Sequence, residues 1–315
     1  MTHMYRVWHR STALSHRTLT LALLALFAAL ATSAQTAPPE SHAHLALIPD
    51  INHAADPVLS VGILFKLDPG WHIYWQNSGD SGEPPRIQWK LSPGLTAGPI
   101  SWPQPTRFGQ GSVIDYGYEN QVLLRTMIRR HKADPAGPLP PTGSINVTVK
   151  YVVCREICIP ATSHLNLSLA DTIEKTAPQS ESDELFRQAR AQTPKPAPTD
   201  WKFVVASQKD TFILWVKTKT PVQAATFFPL EPNQIENSAA QSFSESADGF
   251  RLTLRKSDQL MKPPFELKGV LVLGHGSAYE VTARVTPRQQ KSTKPGIIVS
   301  RLSLRSAAAP QFAAE

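Results

Sequence analysis

The stretch Ile145-Asn146-Val147-Thr148-Val149-Lys150-Tyr151-Val152-Val153-Cys154-Arg155-Glu156-Ile157-Cys158-Ile159-Pro160 joins a β-strand pattern to the chain's two cysteines. From Ile145 to Tyr151 the odd positions are apolar or aromatic and the even ones mostly polar. That period of two places alternate side chains on opposite faces of a half-buried strand. Held in one extended strand, five residues would keep their outer Cα atoms about 13 Å apart, whereas a disulfide needs roughly 4.4–6.8 Å. If Cys154 and Cys158 are bridged, Arg155-Glu156-Ile157 must therefore fold back as a tight turn between two strands, at the edge of a sheet.

Outward from this stretch, strand-like runs recur between turn residues. In the first block they are Pro57–Leu67, Trp71–Gln76, Arg86–Leu91, Gly98–Trp102, Val122–Arg129, Ser144–Val153 and Ser163–Leu169. Such a series, spread over residues 42–170, predicts a β-sandwich. Residues 171–200 break the pattern: Glu181–Gln192 could form a short helix, and Thr193-Pro194-Lys195-Pro196-Ala197-Pro198 reads as a stiff linker. A second, smaller sandwich is expected over 201–287, from Lys202–Ala206, Thr211–Lys217, Ala224–Phe228, Phe250–Arg255, Leu267–Leu273 and Tyr279–Val285. Residues 288–315 read as a poorly ordered tail in which Ile297–Leu304 could add an edge strand. The fold class is thus all-β, two sandwiches joined by a Pro-rich linker.

Composition agrees. The 315 residues are 41% hydrophobic and 18% charged, which is globular, and 28 prolines break the chain too often for a helical fold. At the N-terminus, Arg6, Arg10 and Arg17 precede an apolar run from Leu19 to Ala31 and the small residues Thr32-Ser33-Ala34. Residues 1–34 therefore read as a cleaved export signal; the alternative, an uncleaved anchor, is disfavoured because the run is shorter than the roughly 20 residues of a membrane span. No later segment reads as a membrane span. The expected location is periplasmic or secreted. The formal charge of +7 falls to +4 when the three arginines of that segment leave, since it holds no acids. The remaining basic residues are scattered, which argues against nucleic acid as a partner.

The cysteine pair has three readings. As a staple it would contribute little, about 2 kcal/mol for so short a loop against about 4.7 for a loop of 100 residues. As a metal clip it lacks ligands: zinc takes four, and His42, His44, His53, His72 and His164 have no ligand spacing to the thiols. Copper(I) could be held by two thiolates alone. An exchange centre fits best, because a closeable loop lets one thiolate attack a partner disulfide while the other resolves the mixed disulfide. Arg155 and Lys150 would lower a thiol pKa and Glu156 would oppose them, so the attacking cysteine stays open. Elsewhere, Trp71, Tyr74 and Trp75 beside Asn77, Gly79, Asp80 and Gly82 suggest either a carbohydrate face or a core strand ending in a turn; packing favours the core. No nucleophile–base constellation or phosphate loop stands out.

Several segments resemble the N-terminal periplasmic domain of the DsbD-type thiol:disulfide interchange proteins. They are Val153-Cys154 with Cys158-Ile159-Pro160, Pro69–Gly82, Trp102–Phe108 and Tyr116-Gly117-Tyr118-Glu119. Phe227-Phe228-Pro229 and Leu267–Leu273 are similar in the second block. The resemblance covers roughly residues 42–287 and implies immunoglobulin-like sandwiches, and with them the thiol chemistry that serves periplasmic proteins and cytochrome c biogenesis. It implies Cys154 and Cys158 as the exchanging pair, no cofactor, and a cap loop at Arg107-Phe108-Gly109 with Phe108 over the disulfide. Tyr116 and Tyr118 are expected to line the same surface or to fill strand positions. Two departures stand out. The cysteines are closer together than in better-known members, and the chain shows neither membrane segments nor a thioredoxin-like Cys-x-x-Cys. The expected partners are therefore periplasmic thiol or disulfide proteins, with electrons drawn from a separate membrane thiol reductase. The alternative is a non-catalytic binding module with a protein or copper partner and a structural disulfide.

Overall fold

The computed structural model describes residues 41–50, 58–130, 143–170 and 180–287. The expected export signal, the tail after Pro287 and the first part of the linker region lie outside the described residues.

The first sandwich faces two sheets across one apolar core. One sheet has the order β1-β2-β8-β5, built from β1 (Ala43–Pro49), β2 (Val58–Leu67), β8 (Gln121–Arg130) and β5 (Leu95–Ala97). The other runs β10-β9-β3-β7-β6, from β10 (Cys158–Ser168), β9 (Ser144–Cys154), β3 (His72–Gly79), β7 (Val113–Glu119) and β6 (Thr106–Gln110). A further strand, β4 (Arg86–Leu91), pairs with the first half of β9. The alternation read in the sequence sets the packing. Ile145, Val147, Val149, Tyr151 and Val153 of β9 meet Leu59, Val61, Ile63 and Phe65 of β2 in the core. Phe65 and Tyr151 touch edge to face, ring centroids 5.6 Å apart.

The helix expected over Glu181–Gln192 forms as α1 (Ser180–Gln192), with Glu181 and Asp183 in its first turn and Arg190 in its last, the arrangement that suits the helix dipole. Its apolar face covers the outer side of β2 and β8, where Phe186 and Ala189 pack on Leu64 and Leu123. Burying Phe186 completely contributes roughly 1.5–3 kcal/mol. An ion pair of 2.7 Å from Arg190 to the buried Asp50 fixes the helix on the first sandwich.

The Pro-rich stretch is not a free spacer. Its Lys195–Pro196 forms a two-residue strand, β11, parallel to Tyr279 and Glu280 of β18 (Ala278–Pro287). The second core lies within a sheet of order β14-β17-β18-β12-β13-β16-β15. Its strands are β12 (Lys202–Ser207), β13 (Thr211–Lys217), β14 (Ala225–Pro229), β15 (Ser242–Ser246), β16 (Gly249–Arg255), β17 (Glu266–Leu273) and β18. Strand β18 pairs with β17 along most of its length and then passes to β12, so the two halves share a core of Phe212, Leu214, Leu252, Phe227, Leu271 and Val281, among others. On β14, Phe227 enters this core while its neighbour Phe228 points the other way, against Trp75 and Tyr116 of the first sandwich. Both sandwiches therefore pack on β14. No helix of the described residues is long and apolar enough to cross a membrane.

Candidate functional site

Strands β9 and β10 pair from Ser144↔Ser168 up to Cys154↔Cys158, and Arg155-Glu156-Ile157 closes the hairpin, with the Arg155 amide donating to the Ile157 carbonyl at 3.1 Å. The disulfide joins the last rung of this ladder, Cα atoms 4.2 Å apart. The two cysteines differ sharply in exposure. Cys154 is 2% exposed, whereas Cys158 faces solvent beside Ile157, which is 64% exposed.

Alternation explains why Cys154 needs a roof. Val153 points into the core, so Cys154 points outward, on the same face as Val152 and Lys150. What buries it there comes from the neighbouring strands. His72 of β3 is its register partner, and Tyr74, two residues on, stands on the same face. Tyr74 is 1% exposed yet lies outside the apolar core. Its hydroxyl donates to Cys154 Sγ at 3.0 Å and lies 3.6 Å from Cys158 Sγ. The ring rests on Gly82, whose φ of +63° suits glycine and where an added Cβ would lie 2.0 Å from Cζ of Tyr74.

Behind Tyr74 a polar chain leads to a buried carboxylate. Ser81 Oγ is 3.4 Å from the Tyr74 hydroxyl and donates to Asp115 Oδ2 at 2.8 Å, while the Ser81 amide donates to Asp115 Oδ1 at 2.9 Å. With the serine proton on Asp115, the tyrosine proton is free for sulfur. Burial raises the Tyr74 pKa above its ordinary 10.0, against the lowering effect of the Ser81 hydrogen bond, so Tyr74 is an un-ionised donor at neutral pH. His72 lies edge-on to Tyr74, centroids 5.3 Å apart, and its Nε2 is buried with no hydrogen-bond partner among the described residues. Burial lowers its pKa below 6.5, with Asp115 and Glu119 opposing, so the ring is neutral at pH 7.

Of the expected cap residues, Phe108 lies on this face: its partner across β6 and β7 is Asp115, and its ring packs on His72 at 4.6 Å. It reaches the cysteine pair through His72. Gly109 has φ +126°, and an added Cβ would strike the Val113 carbonyl at 2.2 Å, so it permits the close approach of the hairpin. Arg107 has the opposite parity, and its guanidinium donates to the carbonyl of Asn237 in the second sandwich. Tyr116 and Tyr118 do not line the disulfide surface. They share inward parity on β7 with Gly117 between them, and both are buried in the core. Their hydroxyls donate to Asn237 Oδ1 and to the Pro103 carbonyl, each at 2.7 Å. Ser81 and Asp115 are candidate site residues that the sequence does not single out, and Tyr74 stands out there only as part of a carbohydrate face or a core strand. The available signal was parity, since His72 and Tyr74 alternate with Ile73 and Trp75. The expected contest between Arg155 and Glu156 over thiol pKa resolves locally. Arg155 Nε donates to Glu156 at 2.6 Å and its guanidinium lies 5.4 Å from the Trp71 ring centre, so the two charges largely neutralise each other.

The first sandwich is thus immunoglobulin-like and carries a disulfide at a hairpin tip, one sulfur exposed and the other roofed by a tyrosine. Residues 47–170 match the family described as thiol:disulfide interchange protein DsbD, N-terminal, so the first sandwich, disulfide hairpin included, is a domain of that type. Among solved structures, the N-terminal periplasmic domain of ScsB from Proteus mirabilis is similar over 79% of this chain and 95% of its own, with 18% identity and a TM-score of 0.59. That likeness extends the shared fold through the second sandwich. The tandem Ig repeats of Dlar align over 79% of this chain and all of theirs at 17% identity, but a TM-score of 0.21 gives that alignment no weight. No curated protein matches the chain.

Proposed function

We propose that the protein is a periplasmic thiol:disulfide exchange component in which Cys158 meets partners and Cys154 resolves. The observation that carries this reading is the asymmetry of the pair, with Cys158 open to solvent and Cys154 buried under the Tyr74 hydroxyl.

The chemistry follows from that asymmetry. In the charging direction, a thiolate of a donor dithiol, such as a separate membrane thiol reductase, attacks Cys158 Sγ. The Cys154–Cys158 bond breaks and Cys154 leaves as a thiolate, which Tyr74 stabilises by donating its hydrogen bond. The donor's second thiolate then attacks the donor sulfur of the mixed disulfide, releasing Cys158. The donor is now a disulfide, and this protein has gained two electrons, with two protons taken up as the thiolates equilibrate. In the delivering direction, the Cys158 thiolate attacks a partner disulfide and expels one partner thiolate. Cys154 then attacks Cys158 Sγ, restoring its own disulfide and freeing the reduced partner. Phe108 and His72 cover the Cys154 side of the pair and keep stray thiols from the resolving sulfur.

Single-cysteine variants test the assignment. Cys154→Ala is expected to capture periplasmic thiol or disulfide proteins as mixed disulfides through Cys158, and Cys158→Ala to capture none. Capture by neither variant favours a binding module with a structural disulfide, and capture through Cys154 alone contradicts the assigned roles.

A further inference from the structure

We infer that the second sandwich holds the cover of the disulfide in place, with Asn237 as the positioning residue. The inference rests on the reading of Phe108 and His72 as that cover.

Asn237 belongs to the second sandwich and is 6% exposed, yet three of its polar groups are spent on the first. Its Oδ1 accepts the Tyr116 hydroxyl at 2.7 Å, its Nδ2 donates to Asp80 Oδ1 at 2.8 Å, and its carbonyl accepts the Arg107 guanidinium. All three partners belong to the frame of the β6–β7 hairpin. Arg107 and Tyr116 face each other across it, and Asp80 Oδ2 accepts the Ile114 amide at 2.8 Å. Phe108 and Asp115 form the rung between these contacts, on the opposite face. Asn237 thus grips the hairpin from below at the rungs on either side of the one that carries the Phe108 ring. The grip matters because β6 is an edge strand with β7 as its ladder partner. Edge strands have one row of backbone hydrogen bonds to hold them, and side-chain anchors decide how firmly they sit. The same rung carries Asp115, which holds Ser81 against Tyr74, so one anchor serves both the cover and the donor to sulfur. The rest of the junction is independent of Asn237: Phe228 packs on Trp75 and Tyr116, and Asn77 Nδ2 donates to the Pro229 carbonyl at 2.8 Å. Removing the Asn237 side chain loosens the hairpin without parting the sandwiches.

The test reads the cover directly, without any exchange partner. In the full chain carrying Cys158→Ala, Cys154 is a lone buried thiol, and its alkylation by iodoacetamide reports how often the cover opens. Adding Asn237→Ala is expected to speed that alkylation by about tenfold, the scale set by losing a pair of buried hydrogen bonds. Phe108→Ala is expected to speed it at least as much, and Asn237→Ala to add nothing once Phe108 is gone. The acceleration should persist unchanged in low urea, the signature of a local opening, which a general loss of stability would not give. In the Cys154→Ala background, where Cys158 is already exposed, Asn237→Ala should leave the rate of alkylation unchanged. Arg107→Met serves as a second variant should Asn237→Ala not fold, and Arg107→Lys should restore much of the protection. Acceleration by Phe108→Ala but not by Asn237→Ala or Arg107→Met overturns the inference and leaves the cover standing. No acceleration by Phe108→Ala overturns the cover itself, and additive effects show that Asn237 acts by another route.

Discussion

One proton, that of the Tyr74 hydroxyl, links the polar interior of the first sandwich to its sulfur chemistry. A hydrogen bond to a thiolate is stronger than one to a disulfide sulfur, so in the proposed exchange Tyr74 favours the reduced state and eases the departure of Cys154. Tyr74→Phe is expected to slow exchange with a small dithiol about tenfold. It should also move the reduction potential about 30 mV more negative, the equivalent of roughly 1.4 kcal/mol. Equilibration against a thiol couple of known potential checks both sign and size, and an unchanged potential would detach Tyr74 from the chemistry. His72 gives a pH signature. Its folded pKa lies below the unfolded value of 6.5, because burial opposes the charged ring more than Asp115 and Glu119 favour it. The unfolded chain therefore takes up the proton first as pH falls. Stability is full above about pH 6.5 and declines below it toward the folded pKa. Urea unfolding from pH 7.5 to 5 should show this decline, and His72→Phe should flatten it. These two residues were only half legible in the sequence. The run from Trp71 to Trp75 looks like core, and Ile73 and Trp75 are core; that Tyr74 points the other way follows from strand parity and becomes meaningful only once Cys154 is known to be its neighbour.

Among the elements, the β9–β10 hairpin was the most legible, because alternation, β-branched residues and the spacing of the cysteines all point to the same turn. Strands β6 and β7 were not read as strands. Their hairpin is rich in glycine and polar residues, and its partners are distant in sequence, so register and parity came from the fold. The sequence therefore leaves open whether Tyr116 and Tyr118 line the disulfide surface or fill strand positions, and the fold gives the second. A strand expected over Gly98–Trp102 is instead the short β5 at Leu95–Ala97, because Pro99 and Pro103 bring no amide donors and leave Ser101↔Arg125 as an isolated bridge. Strand β15, exposed and built mostly of serine and glutamate, carries little hydrophobic signal. In the proposed exchange the turn after β3 matters most, since it presents both Ser81 and Gly82 to Tyr74. Gly82→Ala is expected to cost about 1–2 kcal/mol from backbone conformation alone and to displace the Tyr74 ring. Its exchange rate should fall at least as far as that of Tyr74→Phe. A variant with the parent's rate and stability would show that the ring does not depend on this turn.

At the scale of the whole molecule, two cores meet on one strand. Neighbouring phenylalanines on β14 serve different sandwiches, Phe227 the second and Phe228 the first, and buried asparagines at 77 and 237 complete the junction with directional hydrogen bonds. The sequence shows both strand-rich blocks and the helix between them, but local pattern cannot tell a linker from a strand. Lys195–Pro196 pairs with β18 for reasons that lie over 80 residues downstream, in Tyr279 and Glu280. The same holds for Asn237, an ordinary loop asparagine until the fold carries it to Arg107 and Tyr116. A disulfide that exchanges and one that is merely kept differ in how readily they are reduced. The most direct measurement is the standard reduction potential of the Cys154–Cys158 pair in the full chain, from equilibration with defined thiol–disulfide couples. For an exchanging pair the value should lie above about −300 mV, within reach of a donor dithiol; a value below about −300 mV would mark the bond as structural and rule the exchange out.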